Sequence, residues 1–242
     1  MLATAFTTTA DIEDHAPASS HVVAVERDLL GERLGRGALR TLEAKEHLFC
    51  EGDPASHVYR VEVGHICIYR MMPDGRRQVV DFAYPGDMIG LGAIVDHSDS
   101  AQAMERTVVR TMPVATLREL AQSDTRLGLK LYEALSRELM AARELLFTVS
   151  QRTAAERVAA FLLALCRRSE RRGEAANEIV LPMTRMDIAD FLGLTIETVS
   201  RTLTKLRHDG VIDLEQCILV TILKPEALAQ LAQGGGEGRH RN

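Results

Sequence analysis

Glycines at positions 52, 64, 75 and 86, at intervals of 12, 11 and 11, punctuate the short apolar segments between Leu39 and Met112, a spacing that suits short strands joined by tight turns. Three of these glycines sit in turn-forming surroundings, Glu51-Gly52-Asp53, Asp74-Gly75 and Pro85-Gly86-Asp87. The apolar segments between them, His57 to Val61, Ile66 to Tyr69 and Gln78 to Phe82, are strand-length and rich in β-branched and aromatic side chains. The pattern predicts an antiparallel barrel or roll over residues 26–114.

Past Pro113 the hydrophobic period changes. Leu117, Leu120, Leu127, Leu131, Leu135, Leu139, Leu145 and Leu146 recur mostly at helical spacing in a stretch without proline, which predicts a helix over 115–148. A helix that long has more apolar stripe than a small roll can cover, so a second copy of the same helix is the expected cover. The seam would run through Leu120, Leu127, Leu131 and Leu135; the alternative is that the helix lies on its own roll. A further break falls at Val149 to Arg152, after which Val158, Phe161, Leu162 and Leu165 mark another amphipathic helix. It ends in the run Arg167 to Gly173, which reads as a solvated helix terminus. Residues 1–25 read as a flexible leader and 234–242 as a flexible tail, leaving 149–233 as the last domain.

That domain carries the functional signal. Thr184 to Asp187 opens a short helix with a capping box, Ile188, Ala189 and Leu192 face inward, and Gly193 ends it. A second helix opens at Thr195, buries Ile196, Val199, Leu203 and Leu206, and closes at Asp209-Gly210. Val211 to Leu214 and Ile218 to Thr221 then fit a two-stranded wing. Two short helices across a glycine turn make a helix-turn-helix. The outer face of its second helix displays Glu197, Ser200, Arg201 and Thr204. Arg201 can donate two bonds to guanine O6 and N7, Glu197 can accept from cytosine N4, and Ser200 can reach a base edge or a phosphate. Thr184, Arg185, Thr195, Thr198, Lys205 and Arg207 are the candidate phosphate-backbone contacts.

Composition sets limits on this reading. The net charge of −5 over 242 residues gives no general affinity for nucleic acid, and residues 185–209 hold four basic and four acidic side chains. Any DNA contact must therefore come from focused placement. The cysteines, Cys50, Cys67, Cys166 and Cys217, match neither a C-x-x-C metal site nor a disulfide framework. Metal-ligand clusters, a nucleophile elbow and a phosphate loop are missing, so an enzyme is not expected. The chain has no apolar run of membrane-spanning length and is expected to be cytoplasmic. A dimeric scaffold without DNA binding is the competing class.

Leu194 to Leu203, preceded by Met183 to Ala189, closely resembles the E-x-x-S-R recognition helix of the CRP/FNR superfamily, on its FNR and FixK side. Ala154 to Leu162 and Pro85 to Leu91 also resemble FNR-type segments, in the same order along the chain. The resemblance implies an α+β protein: an N-terminal β-roll of the cyclic-nucleotide-binding kind, a long dimerisation helix and a C-terminal winged helix-turn-helix. It further implies a homodimeric regulator, with Glu197, Ser200 and Arg201 reading TTGAT-like half-sites of a palindrome in double-stranded DNA, and with RNA polymerase as a partner of the roll. A cyclic-nucleotide member would offer a glutamate after the Gly86 turn and an arginine for the phosphate, but no arginine lies between Gly86 and Glu105. An iron-sulphur member would carry clustered N-terminal cysteines, but none precedes Cys50, and Arg110 stands where the fourth ligand is expected. The chain thus resembles the FixK branch, which works without a bound cofactor or metal and serves micro-oxic respiration, denitrification and nitrogen fixation. Haem ligation by His57, His65, Cys67 or His97, or oxidation at Cys166 or Cys217, would make it a haem- or redox-sensing member instead.

Overall fold

The computed structural model describes residues 35, 37–173, 175, 177–216 and 218–234; the leader expected over 1–25, nearly all of the expected tail and Cys217 lie outside these residues. Eight strands build the roll: β1 (Ala38–Leu42), β2 (His47–Phe49), β3 (His57–Val63), β4 (Ile66–Met71), β5 (Arg77–Ala83), β6 (Met88–Ile89), β7 (Ser100–Ala103) and β8 (Thr107–Pro113). They form two antiparallel four-stranded sheets, ordered β1-β8-β3-β6 and β2-β7-β4-β5. The glycine turns sit where the spacing predicts, each glycine in the left-handed region. Gly64 illustrates why: its φ is +83°, and a Cβ there would sit 2.9 Å from the Arg106 carbonyl oxygen. Leu42, Phe49, Val61, Ile66, Ile89, Ala101 and Val109 are among the side chains that fill the space between the sheets.

Strand β4 is apolar on both faces. Ile66 and Ile68 point into the roll, while Cys67 and Tyr69 point the other way and join Val79, Phe82 and Tyr84 in the core of the C-terminal domain. The outer face of β4 and β5 and the C-terminal domain therefore share one hydrophobic cluster, distinct from the one inside the roll.

The helix expected over 115–148 is two helices, α1 (Val114–Ser123) and α2 (Thr125–Gln151). Asp124 breaks them: its backbone is extended, and its carboxylate accepts from the amides of Arg126 and Leu127, capping α2. The bend lets Leu117 and Leu127 both pack on Val58 and Met112 of the roll, with Leu120 and Leu131 half-buried at the margin. Leu127 is thus covered inside its own chain, whereas Leu135 is exposed.

After two extended residues, Arg152 and Thr153, the C-terminal domain begins with α3 (Ala154–Arg171), which Thr153 and Glu156 cap reciprocally. β9 (Glu178–Val180), α4 (Arg185–Leu192), α5 (Ile196–His208), β10 (Ile212–Glu215), β11 (Leu219–Ile222) and α6 (Pro225–Ala232) follow. The wing has a third strand that was not expected, because β9 pairs with β11.

Candidate nucleic-acid interface

Helix α4 is held at both ends. At its N-terminus Thr184 accepts from the Asp187 amide at 3.2 Å, while the Asp187 carboxylate accepts from the Thr184 amide at 2.9 Å and from its hydroxyl at 2.7 Å. Gly193 ends it in the left-handed conformation, with φ at 63°. Arg157 of α3 donates to the carbonyls of Leu192 at 3.0 Å and Gly193 at 3.3 Å, placing a cation at the negative end of the helix dipole.

Thr195 caps α5 by accepting from the Thr198 amide at 3.2 Å. Val199, Leu203 and Leu206 are buried under it, each adding about 1.5–3 kcal/mol of burial free energy. Ile196, expected in the same buried set, is 38% exposed. It is the first residue of α5, next to the capping Thr195. Glu197, Arg201 and Thr204 are exposed and Ser200 half-buried, so the three candidate reading residues, Glu197, Ser200 and Arg201, lie away from the buried face together with Thr204. The Thr204 hydroxyl donates to the Ser200 carbonyl at 2.8 Å. Hydrogen bonds from its own backbone amide and from Thr195 hold the Glu197 carboxyl below the usual carboxylate range, so it stays an ionised acceptor.

The candidate phosphate contacts divide into two groups. Thr184, Thr195 and Thr198 surround the N-termini of the two helices, where backbone amides favour an anion, and the hydroxyls of Thr195 and Thr198 lie 3.1 Å apart. Lys205 and Arg207 are exposed in the last turn of α5. Arg185 is half-buried, and its Nη1 is buried without a hydrogen-bond partner among the described residues.

The residues named for sensing are not brought together. His57 meets Ser56 at 2.9 Å, His65 meets Glu105, His97 stacks on Phe49 with ring centroids 3.5 Å apart, and Cys67 is in the shared core. Among the described residues no group of three or more His, Cys, Asp or Glu side chains is placed to hold a metal ion. Burial pushes the Cys166 thiol up, away from the reactive thiolate. Arg110 bonds Glu62 at 2.9 Å and the carbonyl of Gly35 at 3.1 Å.

Sequence reasoning missed the residues that fasten the two domains together. Arg168, expected on a solvated helix end, donates to the Phe82 carbonyl at 2.7 Å and pairs with Asp87 at 3.0 Å; Arg168 and Arg172 both lie over the Tyr84 ring. Arg77 pairs with Asp187, and Gln78 donates to the Asp190 carbonyl. The available signal was the unbroken apolar run Ile66-Cys67-Ile68-Tyr69, which marks a strand covered on both faces.

A β-roll fused to a winged helix-turn-helix whose second helix offers an exposed carboxylate and guanidinium with a half-buried hydroxyl between them defines a DNA-binding transcription regulator. Residues 156–231 match the model of the Crp-like helix-turn-helix domain, and residues 39–124 that of the cyclic nucleotide-binding domain. The chain is 37% identical over 219 residues to the nitrogen fixation regulation protein FixK of Rhizobium meliloti, covering 90% of this chain and 99% of that one. It is 40% identical over 181 residues to FixK of Bradyrhizobium diazoefficiens, covering 75% and 76%. The solved structure of FixK2 from Bradyrhizobium japonicum superposes with a TM-score of 0.75 at 34% identity, covering 81% of this chain and 96% of that one. The chain belongs to the CRP/FNR family of transcription regulators, in its FixK branch.

Proposed function

We propose that the protein acts in the cytoplasm as a homodimer that binds a palindrome with TTGAT-like half-sites and activates genes of micro-oxic respiration, denitrification or nitrogen fixation, contacting RNA polymerase through its roll. The observation that carries this reading is the outward display of Glu197, Ser200 and Arg201 on a helix anchored by Val199, Leu203 and Leu206. The similarity to the nitrogen fixation regulation proteins FixK supports the nitrogen-fixation assignment.

The dimer seam is read from α2. With Leu127 covered by the roll, the unpartnered stripe is Tyr132, Leu135, Leu139, Ala142 and Leu146, all exposed and spaced by three and four residues. That is a heptad seam, and water is a poor cover for it. Two-fold symmetry along this seam would present two α5 helices to successive major grooves about 34 Å apart. Signal input is assigned to the amount of protein rather than to a resident cofactor, as the resemblance to the FixK branch implies. No helix among the described residues is long and apolar enough to cross a membrane.

The test is titration of the purified protein, prepared with and without oxygen, against a labelled TTGAT-type palindrome and a scrambled duplex at fixed salt. Selective binding by colourless protein under both atmospheres is the expected result. Selectivity that requires anoxia or a chromophore would overturn the cofactor-free assignment, and equal binding to both duplexes would overturn the sequence-specific reading.

A further inference from the structure

Between α2 and the DNA-reading domain the chain passes through only two extended residues, Arg152 and Thr153. The bonds there are local: Arg152 to Glu144 at 2.8 Å and to Thr148 at 3.1 Å, and Arg157 to the Arg152 carbonyl at 3.0 Å. Such a connection leaves torsional freedom, and the lever it moves is long. Helix α5 has 13 residues and so spans about 20 Å at 1.5 Å per residue; a swing of about 10° displaces its far end by about 3.4 Å, one base-pair step. Something other than the connection must hold the angle if half-site spacing is to be read sharply.

The β4–β5 hairpin is placed to do this. Its Arg77 reaches the Asp187 carboxylate, the same group that caps α4, and its Gln78 reaches the Asp190 carbonyl one turn further along. Arg77 also lies over the Tyr69 ring at 5.0 Å, which fixes the guanidinium on the sheet side. Phe82 of β5 meets Phe191 of α4 with centroids 5.4 Å apart, and Phe191 in turn meets Phe161 of α3 at 5.6 Å. Asp187 is buried, so its charge is costly to strand, and Arg77 is the cation that answers it.

We infer that Arg77, with Gln78, is a positioning element of the roll that sets the separation of the two reading helices, so that the spacing of half-sites is selected by the β4–β5 hairpin while their base sequence is selected by α5. The inference rests on the dimeric palindrome reading above. It concerns geometry alone: neither side chain belongs to the reading face.

The experiment measures binding of the full chain to palindromes whose half-sites are moved apart or together by one base pair, and to palindromes with one base changed inside a half-site. Wild type, Arg77→Met, Gln78→Ala and Arg77→Lys are compared, each with its thermal midpoint. A one-step change in spacing should cost wild type roughly tenfold or more, the order of a single mismatched base pair. In Arg77→Met the spacing cost should fall below about threefold, with a smaller fall in Gln78→Ala and recovery in Arg77→Lys, while the base-change cost stays at the wild-type level in all four. Spacing costs unchanged in both Arg77→Met and Gln78→Ala would overturn the inference and leave the palindrome reading standing. Parallel loss of midpoint, base selectivity and spacing selectivity in both would also overturn it, by showing a merely structural role. A wild-type protein indifferent to spacing would overturn the palindrome reading and this inference with it.

Discussion

Replacing Arg201 with alanine isolates the reading head from everything else in the molecule. Arg201 is exposed on α5, opposite the buried Val199 and Leu203. Truncation therefore leaves no cavity and no stranded charge, and the unfolding free energy should stay within about 0.5 kcal/mol of wild type. A bidentate arginine–guanine pair is worth about 1–3 kcal/mol of discrimination. A palindrome engages the residue twice, giving about 2–6 kcal/mol, which at about 1.4 kcal/mol per tenfold is a loss of about 30-fold to about 20,000-fold. The free side chain is mobile and loses rotamer entropy on docking, which argues for the lower half of that range. The assay is fluorescence anisotropy with the palindrome and a scrambled duplex over a salt series. The palindrome affinity should fall toward that of the scrambled duplex, and the salt dependence should hardly change. Equal losses on both duplexes, with the salt slope reduced by about two, would mean that the two Arg201 copies neutralise phosphates and do not read bases.

Other consequences follow from burial and charge. Leu139→Arg places a cation in the middle of the exposed α2 stripe, where the isolated protomer tolerates it, so sedimentation should show the dimer weakened by about 100-fold or more with secondary structure unchanged; a persistent dimer would place the interface elsewhere. Burial pushes the Cys67 thiol up to about 12, so at pH 8 only about one molecule in 10⁴ carries the thiolate there. Peptide mapping after alkylation of native protein should find exposed Cys50 labelled and Cys67 and Cys166 protected, and rapid labelling of Cys166 would return it to the redox candidates. Burial against Phe49 also lowers the His97 pKa from its ordinary 6.5, against the opposing pull of Asp53, Asp96 and Asp99. The unfolded chain then binds the proton first, so stability is fully present above pH 6.5 and is lost as pH falls toward the folded value. His97→Phe should flatten that acid limb in urea titrations; an unchanged limb would mean that His97 does not drive it.

The reading helix was legible because its period of 3.6 separates Val199, Leu203 and Leu206 from Glu197, Ser200 and Arg201 without ambiguity. The glycine turns were legible for a similar reason, since few other residues tolerate their φ. The leucine stripe past Pro113 was legible as a stripe but not as to its cover. An apolar face packed on the same chain and one packed on a partner have the same period, so nothing in the spacing distinguishes Leu127, buried on the roll, from Leu139, left exposed. The break at Asp124 did carry a signal, Ser123-Asp124-Thr125, in which a capping carboxylate competes with helix continuation. Ile196 shows the limit of counting: its position on the helical wheel suits burial, but it is the first residue of α5 and is left exposed.

The fastening of the domains bears on what the roll can sense. After the Gly86 turn, where a cyclic-nucleotide member would offer a glutamate, stands Asp87, and its carboxylate is committed twice: it accepts from the Tyr84 amide at 2.8 Å and pairs with Arg168 of α3 at 3.0 Å. Arg110, at the place expected for a cluster ligand, is committed to Glu62 on the neighbouring strand. A ligand recruiting either group would have to break an ion pair with its partner: Glu62 would be left with Arg60 alone at 3.0 Å, and Arg168 with the Phe82 carbonyl and Asp81 at 3.9 Å. In Asp87 that partner is on the DNA-reading side, so any event that released Arg168 would loosen the same junction that Arg77 and Asp187 close from the other edge. Of the two, Asp87 is tied to closing the junction and Arg110 to joining neighbouring strands of the roll.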